Sequence, residues 1–392
     1  MINEGINGRT EKISSFIVMD VLEEAKRMEA EGRDIIHLEI GEPDFDTPQP
    51  IIESALKAMK GQDTHYTHSL GKIELREEIA HYYYRKYGVE ISPEQIVVTS
   101  GTSPALLLIL SVLLNRSDEI ILSDPYYSCY PNFINYLEGK PVLVPVREED
   151  NFQYRLEEVE KAISSRTRAI MCNSPANPTG TVMSAEELKQ LAALGHTIVA
   201  DEIYHGLVYE GEEHSILEFT DNAFVVNGFS KLYAMTGWRL GYVIVPPSYL
   251  KTMQKLQQNL FICASSFAQT AAIAALKYCD PEVQKMKEIY NQRRKYLLGR
   301  LEKAGIRCQA EPAGAFYMLA NVKKYTRDSY SFAFKILQEA GVAVAPGIDF
   351  GPNCEGYLRI SYANSLAKIE EGMDRLDRFL LQWESEMSSQ AQ

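Results

Sequence analysis

Between residues 90 and 245 the chain alternates short, continuously apolar runs with stretches of helical spacing. The runs are QIVVTS, EIILSD, PVLVPV, RAIMCN, TIVAD, AFVVNGFS and GYVIVP. Their apolar residues follow one another instead of alternating with polar ones, which is the pattern of strands covered on both faces. This predicts an α/β fold whose large domain holds a mostly parallel seven-stranded sheet between helices. Ser184, with Glu187 three residues on, predicts a capping box that opens the helix LKQLAALG, and Gly195 should close it. The longest apolar run, ALLLILSVLL at residues 105–114, has about half the length that crosses a bilayer and reads as a buried helix. From about residue 283 the pattern changes to a long charged helix, VQKMKEIYNQRRKYLLGRLEKAG, then FYMLANV, SFAFKILQEAG, YLRISYAN and a terminal helix. That order predicts a smaller α+β domain. No tandem repeat or Pro-rich linker separates the two parts, so they should pack closely.

Composition narrows the function classes. With 392 residues, 45% of them hydrophobic and 24% charged, the chain is large enough for two packed domains. A net charge of −13 should repel phosphate backbones and anionic lipid, so neither nucleic acid nor membrane is an expected partner. The polar start MINEGINGRTEK lacks the apolar core of a secretion signal, which makes the cytoplasm the expected location. The six cysteines are scattered, with no C-x-x-C pair and no histidine at metal-ligand spacing. Reduced thiols and no metal site are expected, with Cys129 a buried, inert thiol.

Several residues carry candidate chemistry. Lys231 lies in GFSKLYAMTGWRLG, residues 228–241. A lone lysine is a solvated surface charge. Here the small residues Gly228 and Ser230 leave room beside it, Arg239 offers a fork to a phosphate, and the apolar flanks would desolvate an amine. Asp201 ends TIVAD and should emerge at the carboxyl end of a buried strand, where ligands bind in open α/β sheets; taken alone it is more often a strand-end turn or helix cap. Ser100, Gly101 and Thr102 stand between a strand and a helix, where free N–H groups favour phosphate, though such residues also cap helices generally.

Taken together, these pieces resemble a known family. The stretch 228–241 resembles, position by position, the pyridoxal-phosphate attachment signature of class I and II aminotransferases. From GEPDF to LRISYAN, nearly the whole chain resembles their aspartate-aminotransferase-like branch, fold type I. The resemblance implies pyridoxal 5'-phosphate as cofactor, held covalently by Lys231, which is also the catalytic base. It implies that Asp201 pairs with the pyridine nitrogen, and that Tyr204 and Asn177 of NSPANPTG hydrogen-bond the ring oxygen, with Asn177–Pro178 cis. Phosphate falls to Ser100, Gly101, Thr102 and Arg239, with Ser230 a possible further contact; Gly228 lacks the hydroxyl some relatives place there. Tyr127 of DPYYSCY would lie on the cofactor's face, with Tyr126 and Tyr130 close enough to leave the register open. Arg359 and Gly41, with Asn177, would bind the substrate's α-carboxylate. Tyr66 would reach a neighbouring subunit's phosphate, implying a homodimer with shared active sites. A large domain over 48–290 and a small one from 1–47 and 291–392 complete the implied architecture.

The implied reaction is amino transfer from an L-amino acid to a 2-oxo acid such as 2-oxoglutarate or pyruvate, with ping-pong kinetics. Some dicarboxylate-selective relatives carry a lysine just after the phosphate turn. Here TSGTSPAL has none, and the tyrosines with the arm SSFIVMDV point to neutral, aliphatic or aromatic substrates. A carbon-sulfur lyase on the same scaffold is the alternative, since both use the same electron sink. A cofactor-sensing regulator would want a basic DNA-binding module, which this acidic chain lacks.

Overall fold

The computed structural model describes residues 8–390; residues 1–7, most of the polar start, and the last two residues of the tail lie outside it. The chain forms strands β1 (Ile36–His37), β2 (Ile96–Thr99), β3 (Glu119–Asp124), β4 (Lys140–Pro145), β5 (Thr167–Asn173), β6 (Ile198–Asp201), β7 (Ala223–Gly228), β8 (Gly241–Ile244), β9 (Tyr317–Asn321), β10 (Val342–Ala343), β11 (Ala345–Pro346) and β12 (Tyr357–Ser361). All seven apolar runs become strands of one sheet, ordered β2-β8-β7-β6-β5-β3-β4.

Within it β4, β3, β5, β6 and β7 pair in parallel, while β8 runs antiparallel to both β7 and β2. The reversal follows from the β7–β8 connection, residues 229–240, which contains no α-helix to carry the chain back across the sheet. Successive strand residues feed two different cores. Ile96, Val98, Ile198, Ala200 and Val225 join one cluster; Val97, Val199, Phe224, Val226 and Val243 join the other. This two-sided burial is the physical meaning of the unbroken apolar runs.

The helix Thr102–Leu113 buries Ala105, Leu106, Leu108, Ile109, Leu110 and Leu113, as its composition predicts. No helix among the described residues is long and apolar enough to cross a membrane. Ser184 and Glu187 form the capping box, and that helix ends at Ala193, with Gly195 following at φ +71°. A second sheet, β11-β12-β9, is antiparallel, and β1 pairs in parallel with β10, so the two chain ends pack together. All six cysteines are free thiols, and no cluster of metal-ligating side chains exists among the described residues.

Candidate active site

The carboxyl ends of β5 and β6 form the floor of the site. Asn173, the last residue of β5, donates through Nδ2 to the Asp201 carbonyl at 2.8 Å and accepts at Oδ1 from the Asn177 N–H at 2.8 Å. These bonds tie the NSPANPTG turn to the sheet edge, with Ser174–Pro175 and Asn177–Pro178 both cis. Asp201 ends β6 only 5% exposed. Its Oδ2 accepts from the Tyr130 hydroxyl at 2.7 Å and its Oδ1 from the Ile203 N–H at 3.2 Å. Burial pushes the carboxyl above its usual range, while these donors and the charges of His205 and Lys231 pull the other way.

Lys231 follows β7, and its Nζ donates to the carbonyl of Gly41. Desolvation lowers the amine to about 8; Glu42 opposes the shift, whereas Arg359 and Arg239 add to it. The neutral, nucleophilic form is therefore a minority near pH 7, yet far more abundant than in an ordinary lysine. Beside it the hydroxyls of Tyr204 and Tyr317 share a hydrogen bond of 2.7 Å. Gly41 is required there: a Cβ would stand 2.0 Å from the Tyr317 hydroxyl oxygen.

An anion corner lies where β2 meets the helix Thr102–Leu113. Gly101 has φ +98°, and a Cβ on it would come within 2.7 Å of Arg239 Nη2. No side chain caps the helix, and Arg239 makes no ion pair among the described residues. Free N–H groups, the helix dipole and an unpaired guanidinium suit a phosphate. Across the cavity Arg359 is buried, with Nη1 donating to Asn177 Oδ1 at 2.9 Å and Nη2 to the Glu39 carbonyl. The guanidinium lies 4.3 Å from the Tyr317 ring centre and 4.7 Å from that of Phe350, while its Nε is buried without a partner. A held guanidinium with an unused donor suits a carboxylate.

One cavity of about 330 Å³ collects Gly41, Thr102, Tyr127, Asn177, Asp201, Tyr204, Ser230, Lys231, Arg239 and Arg359. Gly101 borders it through Arg239, and Ser100 is not among its lining residues. Both Tyr127 and Tyr130 line it; Tyr126 faces an adjoining recess that Tyr127 and Tyr130 also line. Tyr66 is 81% exposed and lies apart, beside Asp63 and His68. Gly228 is not among the lining residues either. A Cβ there would stand 3.0 Å from the Gly241 Cα, so its small size serves strand contact. Tyr317 and Asn173 escaped sequence reasoning because their partners, Tyr204 and Asn177, are chosen by the tertiary fold and the sheet edge.

Residues 33–376 match the family model described as aminotransferase class I and II. The chain belongs to that family. It is 43% identical over 96% of its length, and 99% of the relative's, to a Methanocaldococcus jannaschii protein named (5-formylfuran-3-yl)methyl phosphate transaminase. It is 40% identical to an aspartate aminotransferase of Pyrococcus horikoshii, covering 93% of this chain and 94% of that one. The solved aspartate aminotransferase of Thermus thermophilus with maleate superposes with a TM-score of 0.92 at 35% identity, over 95% of this chain and 99% of that one. The aminotransferase is thus a pyridoxal-phosphate enzyme with the aspartate-aminotransferase-like fold, acting on amino acid and 2-oxo acid substrates. Its cavity fits that cofactor: a buried carboxylate, a partly neutral lysine and an unpaired arginine at a helix start face one space.

Proposed function

We propose that the aminotransferase takes its amino group from a neutral, aliphatic or aromatic L-amino acid and passes it to a 2-oxo acid such as 2-oxoglutarate or pyruvate. The charge inventory of the cavity carries this reading. Its cations are Lys231, Arg239 and Arg359, and much of the remaining wall is Phe16, Val18, Met19, Ile40, Leu106 and Tyr127. Once the three cations are assigned to the cofactor's aldehyde, its phosphate and the substrate's α-carboxylate, none remains for a distal carboxylate or a second phosphate.

Pyridoxal phosphate, when bound, supplies an aldehyde carbon that amines join and a ring that accepts electrons. Lys231 would be the residue that holds that carbon until a substrate amine replaces it. Its Nζ, once free and neutral, would serve as the base for the substrate's Cα proton. Asp201 holds a proton at the ring nitrogen, oriented by Tyr130. Tyr204 and Asn177 would donate to the ring oxygen, and Tyr127 would supply an aromatic surface for the ring. Arg239, Gly101 and Thr102, with Ser100 and Ser230, hold the phosphate. Arg359 binds the α-carboxylate beside Gly41, where a side chain would not fit.

The proposal includes a homodimer, in which the exposed Tyr66 reaches the second copy's phosphate, and a large body of residues 48–290 against which residues 1–47 and 291–392 close. Six free thiols accord with a reducing compartment, the cytoplasm. The test is a scan of amino acids against the holoenzyme's absorbance, with 2-oxoglutarate or pyruvate as return acceptor. Leucine- or phenylalanine-type donors should convert faster than aspartate. Preference for aspartate, or pyruvate and ammonia release without an acceptor, would overturn the reading.

A further inference from the structure

Two backbone carbonyls of the segment after β1 face the active site: that of Glu39 accepts from Arg359, and that of Gly41 from Lys231. Main-chain bonds hold one edge of this segment, Leu38 N–H to the Ala343 carbonyl at 3.0 Å and Ser361 N–H to the Leu38 carbonyl at 2.7 Å. Its other anchor is the side chain of Glu39, which is 0% exposed. Glu39 Oε1 lies 2.7 Å from Nδ1 of His37, and its Oε2 is buried without a partner. The second ring nitrogen, Nε2, is 3.2 Å from Glu29 Oε1, near the end of the helix Ile17–Ala30. The opposite end of that helix supplies Val18 and Met19 to the cavity wall. One imidazole therefore joins a cavity-lining helix to the carbonyls that meet Arg359 and Lys231.

An ionised carboxylate only accepts hydrogen bonds, so the ring serves both Glu29 and Glu39 only when each nitrogen carries a hydrogen. The charged groups around it are few. Glu39 faces it from its own segment, and Glu29 from the first helix, itself paired to Lys26 at 2.7 Å. On the terminal helix, Arg375 and Glu371 pair with each other, and Arg375 also binds Asp34. β10, the partner of β1, contributes only Val342 and Ala343. The bond to Glu39 is the largest cause raising His37 above its ordinary value, and Glu29 adds to it while burial opposes.

We propose that His37, bridging Glu29 and Glu39, is a positioning residue for substrate carboxylate binding: protonated, it steadies the carbonyls that orient Arg359 and Lys231. This rests on the assignment of Arg359 to the substrate carboxylate. The sign follows from the raised value. The bridge is complete below the ordinary histidine value, about 6.5, and is lost as pH rises through the raised one. Carboxylate affinity should fall across that window.

The test measures binding of 3-phenylpropionate, which has no amine to react, to the holoenzyme between pH 6 and 9 by calorimetry. His37→Gln should bind about fivefold more weakly than wild type at pH 6 and equally at pH 9, the size expected of a half-buried ion pair. Glu29→Gln, a milder change at the partly exposed end of the bridge, should move the same way by less. In turnover, KM for the amino acid should rise more than kcat falls. The wild-type His37 ring resonance, identified by its loss in His37→Gln, should shift when the carboxylate binds. Parallel wild-type and His37→Gln profiles at every pH, or an unmoved ring resonance, would overturn the proposal. Arg359→Gln separates the two readings: weak binding at all pH values supports the carboxylate assignment, and unchanged binding defeats that assignment whatever His37 does.

Discussion

The hydroxyl of Tyr130 donates to the carboxylate of Asp201 across 2.7 Å, linking the start of the helix Cys129–Tyr136 to the end of β6. Asp201 is buried, and burial alone drives its carboxyl toward the neutral form. Tyr130→Phe removes a donor to the charged form, a loss of about 2 kcal/mol. The expected outcome is a cofactor that dissociates roughly ten- to thirtyfold more readily and a slower amino-acid half-reaction. Equilibrium dialysis and stopped-flow absorbance check it; unchanged retention would mean that the bond leaves Asp201 indifferent.

Lys231 offers a direct pH test. Desolvation brings its amine to about 8, so in cofactor-free protein it should be mostly protonated at pH 6 and mostly neutral at pH 9. Acylation at Lys231, followed by peptide mass spectrometry, should rise with pH and level off above the midpoint near 8. An ordinary lysine keeps gaining reactivity up to about pH 10 or beyond. A rate still climbing steeply there would show that burial does not depress this amine. Lys231→Ala should abolish steady-state transamination altogether.

Gly41→Ala would set a methyl 2.0 Å from the Tyr317 hydroxyl oxygen. Either the Tyr204–Tyr317 bond breaks or the Gly41 loop retreats from Lys231. A cost of about 1–3 kcal/mol is expected for such overpacking. Thermal unfolding of the variant should show a lower midpoint, with amino-acid KM raised. The paired variant Gly41→Ala with Tyr317→Phe should recover part of the loss, because removing the hydroxyl relieves the closest contact.

Ser103 lines the cavity one residue beyond Thr102 and carries no charge. Ser103→Lys places a cation where the wall has none, and a charged hydrogen bond to a distal carboxylate is worth about tenfold in kcat/KM. The ratio of aspartate to leucine kcat/KM should rise by that order. If aspartate gains nothing, the inventory of cavity cations does not govern selectivity.

Local pattern made the sheet legible because every strand but the edge strand β4 is largely buried on both faces, so composition declares it without reference to any partner. The direction of β8 was not legible, since it depends on how residues 229–240 turn. The site divides the same way. Lys231, Asp201, Asn177, Arg239 and Arg359 sit in short motifs that fix residue type and spacing together, and the fold brings all five to one cavity. Tyr127 and Tyr130 could not be separated by spacing, and both reach the space. Tyr317, Glu39 and His37 were invisible because their contacts are chosen by tertiary structure: Tyr317 meets Tyr204 across 113 residues of chain. The close approach of Gly228 to the backbone of β8 was hidden for a related reason.

The antiparallel pairing of β2 with β8 sets Thr99 opposite Gly241, bringing Gly101 and Arg239 to one corner. These two segments are far apart in the chain and meet at the β2 edge of the sheet. An anion gripped by both therefore behaves as a latch on assembly. Any ligand that binds only the folded state shifts the unfolding balance by mass action, so cofactor supply would tune how much of this protein survives, as well as how fast it works.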